Sequence, residues 1–143
     1  MKRILMLAFA AALSMSVSAC QDTTSPGAVL AGTYTLRTIN NQSPPIVYSA
    51  DATGTLELIG GQIRIDRDGT FTYVSTWRDT PSGSVPGPAY DVSLSGSWTL
   101  SGNILSLYDA SDPSYPYEYT VSNNQLIYAD YASGVTFAWV YSK

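Results

Sequence analysis

The chain contains no histidine and a single cysteine, Cys20, among its 143 residues. The absence of histidine excludes Ser-His-Asp and Cys-His catalytic arrangements and any metal site built on imidazole. A single cysteine also excludes an intramolecular disulfide. We therefore predict that the protein is not an enzyme and that it binds neither a metal ion nor a cofactor.

Carboxyl groups that could form a catalytic pair are scarce, because the chain has only two glutamates, Glu57 and Glu118. A glycosidase needs two carboxyl groups that face each other across a cleft. Each glutamate here alternates with large apolar or aromatic neighbours, as the outward-facing residues of a strand do. We expect both glutamate side chains to lie on solvated faces.

The segment Asp66-Arg67-Asp68-Gly69 has the acidic residues and the glycine with which a calcium-binding EF-hand loop begins. The later ligands of such a loop are absent, since no acidic residue lies between Asp68 and Asp79. We interpret the segment as a tight turn. In such a turn Gly69 takes a positive φ and the aspartates cap nearby backbone amides.

No apolar run reaches the length of about twenty residues that a transmembrane helix needs. The run from Ile4 to Leu13 follows Lys2-Arg3 and precedes several small residues, which is the pattern of a secretory signal peptide. Val17-Ser18-Ala19-Cys20 resembles the lipobox of bacterial lipoproteins. The resemblance implies a signal peptide over residues 1–19 and acyl chains, such as palmitate, on Cys20.

The residue after the cysteine is Gln21, whereas an aspartate there would resemble the inner-membrane retention signal of Gram-negative lipoproteins. We expect a protein anchored by lipid in a bacterial cell envelope, at the outer membrane. Loss of Lys2 and Arg3 with the signal leaves five of seven basic residues against eleven acidic ones, so the net charge falls from −4 to −6. Such a surface repels nucleic acid and anionic head groups, so the lipid must supply the membrane contact.

Residues 20–31 are rich in small and polar residues, which is typical of a flexible tether, and residues 32–143 have the length of a single domain. From residue 32 onward, apolar residues alternate with period two, and no longer stretch has a helical period. The predicted strands are Thr33–Ile39, Thr55–Ile59, Gln62–Asp66, Thr70–Arg78, Tyr90–Leu100, Ile104–Tyr108, Tyr115–Val121, Gln125–Ala129 and Val135–Tyr141. Ile46–Ala50, limited at its start by Pro45, is a candidate for one more strand.

The connections between these strands are short. Gly60-Gly61 forms either a tight hairpin or a bulge within one long strand. Loops are predicted over residues 80–88 and 109–114, and turns at Asn123-Asn124 and near Ser133-Gly134. Eight or nine strands joined in this way predict an antiparallel up-and-down β-barrel, because closure removes the exposed sheet edges. The interior of an eight-stranded barrel is filled by side chains or holds one small ligand.

Three segments resemble the bacterial lipocalin-like lipoproteins, namely Gly32-Thr33-Tyr34-Thr35-Leu36, Asp68-Gly69-Thr70-Phe71 and Gly96-Ser97-Trp98-Thr99-Leu100-Ser101-Gly102-Asn103. The resemblance covers nearly the whole chain after the signal and implies a small exported eight-stranded barrel, in a family that usually carries no assigned activity. The chain departs from the wider lipocalin superfamily at two points. The Gly-x-Trp of the first strand is Gly32-Thr33-Tyr34 here, and no arginine follows Arg78 to pack over that ring late in the barrel.

Aromatic residues are abundant, with eleven tyrosines, three tryptophans and three phenylalanines. Tyr115, Tyr117 and Tyr119 share one strand face. Such rings fill a barrel, line a cavity for an apolar or amphipathic ligand, or form an exposed platform for a partner. We predict that the barrel binds a small hydrophobic ligand, or serves as an envelope scaffold, with Tyr34, Phe71, Tyr73, Trp77, Trp98, Phe137 and Trp139 as the contact residues. The alternative is a non-catalytic interaction module that binds a protein or glycan through exposed tyrosines.

Overall fold

The computed structural model describes residues 26–132 and 135–143, which form an all-β domain with one short helix. Cys20, the predicted signal peptide and the predicted turn near Ser133-Gly134 lie outside the described residues. No helix in the described part of the chain has the length and apolarity needed to cross a membrane. The elements are α1 (Pro26–Leu30), β1 (Gly32–Ile39), β2 (Ile46–Asp51), β3 (Gly54–Ile65), β4 (Thr70–Pro81), β5 (Ala89–Ser101), β6 (Ile104–Asp109), β7 (Asp112–Ser122), β8 (Gln125–Ala132) and β9 (Val135–Ser142).

Eight antiparallel strands close into a barrel, as predicted. The strands β3 to β9 pair in chain order, β9 pairs with β1, and β1 pairs with β3 to complete the ring. The closing contact runs from the pair Gly32 and Ile65 to the pair Thr35 and Gln62. The ninth strand, β2, pairs only with the first half of β3. It therefore lies outside the ring, beside the end of the barrel where β3 begins.

The turns have the backbone geometry that their residues favour. Between β3 and β4, Gly69 has a φ of 89°, and the Asp68 carboxylate accepts hydrogen bonds from the backbone N and the hydroxyl of Thr70 at 3.0 and 2.6 Å. This confirms the predicted tight turn. Between β7 and β8, Asn123 and Asn124 have φ values of 47° and 61°, which a two-residue hairpin of type I′ requires.

The Gly60-Gly61 pair lies within one continuous strand, β3, so the bulge is the alternative that the structure confirms. The register with β4 shifts between Leu58 and Gly60, because Ile59 is an extra residue on the β3 side. A bulge of this kind bends a strand and increases its twist. Leu58 and Ile63, on either side of the bulge, therefore both reach the core, where neither is exposed to solvent.

The loop predicted over residues 109–114 is wrong, because β6 and β7 meet in a tight turn that contains only Ala110 and Ser111. The Asp109 carboxylate stabilises this turn by accepting hydrogen bonds from the backbone N and the hydroxyl of Ser111. Pro113 and Pro116 are tolerated in β7 because they lie where the register with β6 is irregular and where no pairing with β8 is formed. The loop predicted over residues 80–88 is also shorter than expected, since β4 continues to Pro81.

The end of the barrel next to α1 is closed. The Tyr34 hydroxyl donates a hydrogen bond of 2.9 Å to the carbonyl oxygen of Leu30, whose side chain is buried. Lys143 Nζ donates to the carbonyl oxygens of Val29 and Ala31 and lies 5.0 Å from the centroid of the Tyr34 ring. The Tyr34 ring at the closed end is thus covered by a cation, which comes from Lys143. The segment 26–31, within the predicted tether, is packed against the barrel.

A candidate ligand cavity inside the barrel

A cavity of about 250 Å³ lies inside the barrel, toward the end opposite α1. Its wall comes from the six strands β4 to β9, because alternate residues of each strand point to the inner face. The lining residues are Phe71, Tyr73, Ser75, Trp77, Val92, Leu94, Leu107, Tyr117, Tyr119, Tyr128, Trp139 and Tyr141. The barrel is therefore not completely filled by its own side chains.

The wall of the cavity is largely aromatic and uncharged. Eight of the twelve lining residues are aromatic, and none is an Asp, Glu, Lys or Arg. The hydrogen-bonding atoms of the wall belong to tyrosine hydroxyls, to the Ser75 hydroxyl and to two indoles. Apolar walls with a few polar atoms are typical of small-molecule sites. Since a cavity of about 150 Å³ holds benzene, this one fits a ligand of about ten non-hydrogen atoms.

Four of the lining tyrosines are in ring contact and are called here the tyrosine cluster: Tyr117, Tyr119, Tyr128 and Tyr141. The ring centroids of Tyr119 and Tyr128 are 5.2 Å apart, and Tyr119 and Tyr141 are 6.2 Å apart. Burial raises the pKa of Tyr119, Tyr128 and Tyr141, so these phenols stay neutral across the physiological range. Neutral hydroxyls both donate and accept hydrogen bonds.

The two indoles of the wall differ in how their N–H groups are satisfied. Trp77 Nε1 donates a hydrogen bond of 2.8 Å to the hydroxyl of the buried Ser75. Trp139 is 7% exposed, and its Nε1 is the one buried side-chain polar atom without a hydrogen-bond partner within the described ranges. An unsatisfied buried donor costs about 1 to 3 kcal/mol. The indole N–H of Trp139 is therefore less favourably placed in the wall than that of Trp77.

Tyr48 covers one side of the cavity mouth. It projects from β2, and its ring centroid lies 5.3 Å from that of Trp77 and 5.5 Å from that of Phe137. It also lies 6.0 Å from Trp139. Since β2 is outside the barrel ring, these ring contacts are what bring it over the end of β9. Through Tyr48, β2 thereby extends the aromatic wall of the cavity beyond the eight strands of the barrel.

The other side of the mouth is open to solvent between β5 and β7. Val92 and Tyr117 both line the cavity and are 43% and 39% exposed. Solvent reaches them because β6 is short. It pairs with β5 only as far as Gly96, so the part of β5 before that residue has β4 as its sole partner. A ligand of the right size can enter by this gap.

The charged groups near the mouth are acidic or already paired. Asp130 is half-buried, follows Tyr128 by two residues on β8, and pairs in register with Phe137. Its carboxylate contributes, after burial, to the raised pKa values of Tyr48 and Tyr128, so it lies near both rings. Arg78, in contrast, donates two hydrogen bonds, at 2.7 and 2.9 Å, to one carboxylate oxygen of Glu57. The rim therefore has an unpaired negative charge and no unpaired positive one among the described residues.

The predicted contact residues divide into two groups. Four of them line the cavity, namely Phe71, Tyr73, Trp77 and Trp139. Phe137 contacts Tyr48, which covers one side of the cavity mouth. Tyr34 and Trp98 lie instead at the closed end, where Trp98 Nε1 donates to the Asp66 carbonyl oxygen. The residues of the wall that were not in the predicted set are Ser75, Val92, Leu94, Leu107, Tyr117, Tyr119, Tyr128 and Tyr141. Tyr141 could have been found from its alternation with Trp139 on β9.

Tyr117 and Tyr119 share the inner face of β7, as their alternation predicts, whereas Tyr115 does not line the cavity and the three rings differ in exposure. Tyr115 is 79% exposed, Tyr117 is 39% exposed, and Tyr119 is only 5% exposed. The gradient arises because β7 starts beyond the barrel and enters it near Tyr119, where the pairing with β8 begins. The three rings therefore do not form the continuous exposed platform that the alternative interpretation requires.

Glu57 and Glu118 also have different surroundings. Glu118 is exposed on the outer face of β7, as expected, whereas Glu57 is half-buried in its ion pair with Arg78 on the neighbouring strand. Within residues 26–132 and 135–143, no group of three or more acidic side chains is placed to hold a metal ion. The cavity thus contains the main concentration of functional groups that the described chain brings together.

Comparisons with protein-family models, with curated proteins and with solved structures find no match to this chain. The fold and the geometry of the cavity are therefore the features that bear on function. An eight-stranded barrel with an internal cavity is compatible with a lipocalin-like fold. A shared fold does not by itself transfer a function.

Proposed function

We propose that this protein is a non-catalytic binding protein that takes a small, largely apolar ligand into its barrel. The observation that carries the proposal is the cavity of about 250 Å³, whose twelve lining residues are mostly aromatic. A well-packed interior has few voids larger than a water molecule, so an apolar space of this size requires an explanation. A bound ligand would supply the packing contacts that the residues of the cavity wall otherwise lack.

The cavity is closed at one end and open at the other, which indicates a site that a ligand can enter and not a sealed internal void. The cavity is closed at the α1 end by Leu30 and Tyr34, and it is reached from solvent beside Val92 and Tyr117. Solvent-exposed apolar side chains at the edge of a concave site are typical of binding sites. The small volume favours a compact ligand over a long acyl chain.

We further propose that the protein is anchored to a bacterial envelope through acyl chains on Cys20, at the outer membrane. The support is the lipobox-like segment of the sequence together with the position of α1. Since α1 packs at the closed end of the barrel, the chain enters the domain there. An anchored barrel would then present its open end away from the attachment point. The cavity would face the aqueous compartment.

Ligand binding is tested with two probes of one shape, the neutral tert-butylbenzene and the cationic phenyltrimethylammonium. Each is titrated calorimetrically into the purified full-length chain, and saturable one-to-one binding of either supports the proposal. Val92→Trp places a large ring in the mouth and should weaken that binding at least about tenfold, because the ring and the probe compete for one space. The control is Val47→Trp, at a residue of similar exposure that does not line the cavity. Failure of both probes to bind contradicts the proposal.

A further inference from the structure

The charge distribution around the cavity narrows the class of ligand. The wall has eight aromatic residues and no charged one, whereas the half-buried carboxylate of Asp130 lies beside its tyrosine cluster. The Asp130 carboxylate makes no hydrogen bond or ion pair with any described residue. A partly buried carboxylate without a partner is unfavourable, and a positive group placed nearby would relieve that cost.

An anionic ligand, such as a fatty acid, has no positively charged partner among the described residues that line this site. None of the positive side chains of the described chain lines the cavity, and most of them are already engaged. Arg78 is held by Glu57, Arg64 by Asp66, and Lys143 by backbone carbonyl groups at the closed end. Arg37 donates to Ser142, and Arg67 lies in the turn before Gly69. An anion would therefore be repelled by the negative potential of the aromatic ring faces and by the negative charge of Asp130.

Aromatic rings attract cations through the negative potential of their faces. The attraction is greatest for indoles and is strengthened when water is excluded, as it is for Trp139, which is 7% exposed. In this cavity the rings come from several directions, with Tyr119 and Tyr128 on neighbouring strands and Tyr48 over the mouth. Such an arrangement is the one that proteins use for weakly hydrated ammonium groups.

We propose that the ligand of this cavity is a small organic cation, a quaternary or tertiary ammonium compound with an apolar substituent, bound among the aromatic rings with its charge toward Asp130. The inference rests on the proposed ligand-binding function and specifies its substrate class. The apolar substituent fills the inner part of the cavity near Phe71 and Leu107, which are buried. The ammonium group lies nearer the mouth, where β8 places Asp130.

The test compares phenyltrimethylammonium with tert-butylbenzene, which has the same shape but carries carbon in place of the positive nitrogen. Calorimetric titration of the full-length chain should give a dissociation constant about tenfold lower for the cation than for the neutral isostere, from its contacts with several rings. Phenylacetate, an anion of similar size, should not bind. Equal or tighter binding of the neutral compound or of phenylacetate would overturn the cation proposal while leaving the proposed binding function intact.

The contribution of Asp130 is tested with Asp130→Asn, which removes the charge and keeps the shape. This variant should weaken binding of phenyltrimethylammonium about fivefold or more and leave tert-butylbenzene binding unchanged. Glu118→Gln is the matched control, since it removes one negative charge from the outer face of β7. A preference for the cation that survives Asp130→Asn, or that is lost equally in Glu118→Gln, refutes the role of Asp130. If neither probe binds the wild-type chain, the proposed function fails as well.

Discussion

Tyr119 provides a quantitative test of how completely the inner wall of the barrel is shielded from water. It is 5% exposed, its ring contacts Tyr128 and Tyr141, and burial raises its pKa well above the usual value for tyrosine. The folded state therefore retains the Tyr119 proton at a pH at which the unfolded chain has released it. Stability from this group is fully present below pH of about 10 and is lost as the pH rises further.

The magnitude follows from proton linkage. When the unfolded state has lost a proton that the folded state keeps, the free energy of unfolding falls by about 1.4 kcal/mol per pH unit for each such group. Tyr119 and Tyr141 are both buried and both have raised pKa values, so together they account for a slope of about 2.7 kcal/mol per pH unit. Tyr119→Phe removes one ionisable group and should make the slope shallower by about 1.4 kcal/mol per pH unit.

The assay is urea unfolding followed by circular dichroism at several pH values between about 9 and 11.5, which span the titration of tyrosine in an unfolded chain. The slope of the unfolding free energy against pH is compared between the wild type and Tyr119→Phe. Tyr115→Phe is the matched control, because Tyr115 lies on the same strand but is 79% exposed. Identical slopes for the wild type and Tyr119→Phe would refute the conclusion that the Tyr119 side chain is shielded from water in the folded state.

Two further predictions concern the barrel and its anchor. Gly96→Ala should lower the free energy of unfolding by about 1 to 3 kcal/mol in urea titrations, because the added Cβ would overlap the carbonyl oxygen of Tyr108 on β6. Gly60→Ala, at a glycine with open space around it, is the control, and an equal loss there would contradict the argument. Cys20→Ala should abolish incorporation of labelled palmitate and cleavage before residue 20; a variant that is still cut and membrane-bound would refute the lipobox interpretation.

Local sequence patterns determined the strands and most of the turns, because both depend on residues that are near one another in the chain. Alternation of apolar and polar residues gives the faces of β5, and the Asn123-Asn124 pair supplies the positive φ values of its hairpin. The predicted loop over residues 109–114 failed for a local reason too. The Asp109 carboxylate accepts two hydrogen bonds from Ser111, so the chain reverses at once and β7 already starts at Asp112.

The cavity could be predicted only in part, because alternation identifies a strand's inner face but not the height of each residue within the barrel. Tyr34 and Tyr73 both point inward, yet Tyr34 packs at the closed end and Tyr73 lines the cavity. The height is set by the register of β1 against β3, between residues more than twenty-five positions apart in the chain. The cation over the Tyr34 ring is likewise long-range, since it comes from Lys143.

The sequence alone thus determined the fold class, the signal-like segment and the supply of aromatic rings. Tertiary structure decided that Tyr119 is buried while Tyr115 is exposed, and that the Asp130 carboxylate lies beside the tyrosine cluster with no partner among the described residues. It also decided that the barrel keeps a space instead of filling it. The physical reason is that burial and packing depend on how eight strands close around one axis, and strand closure is a property of long-range pairing that local patterns do not encode.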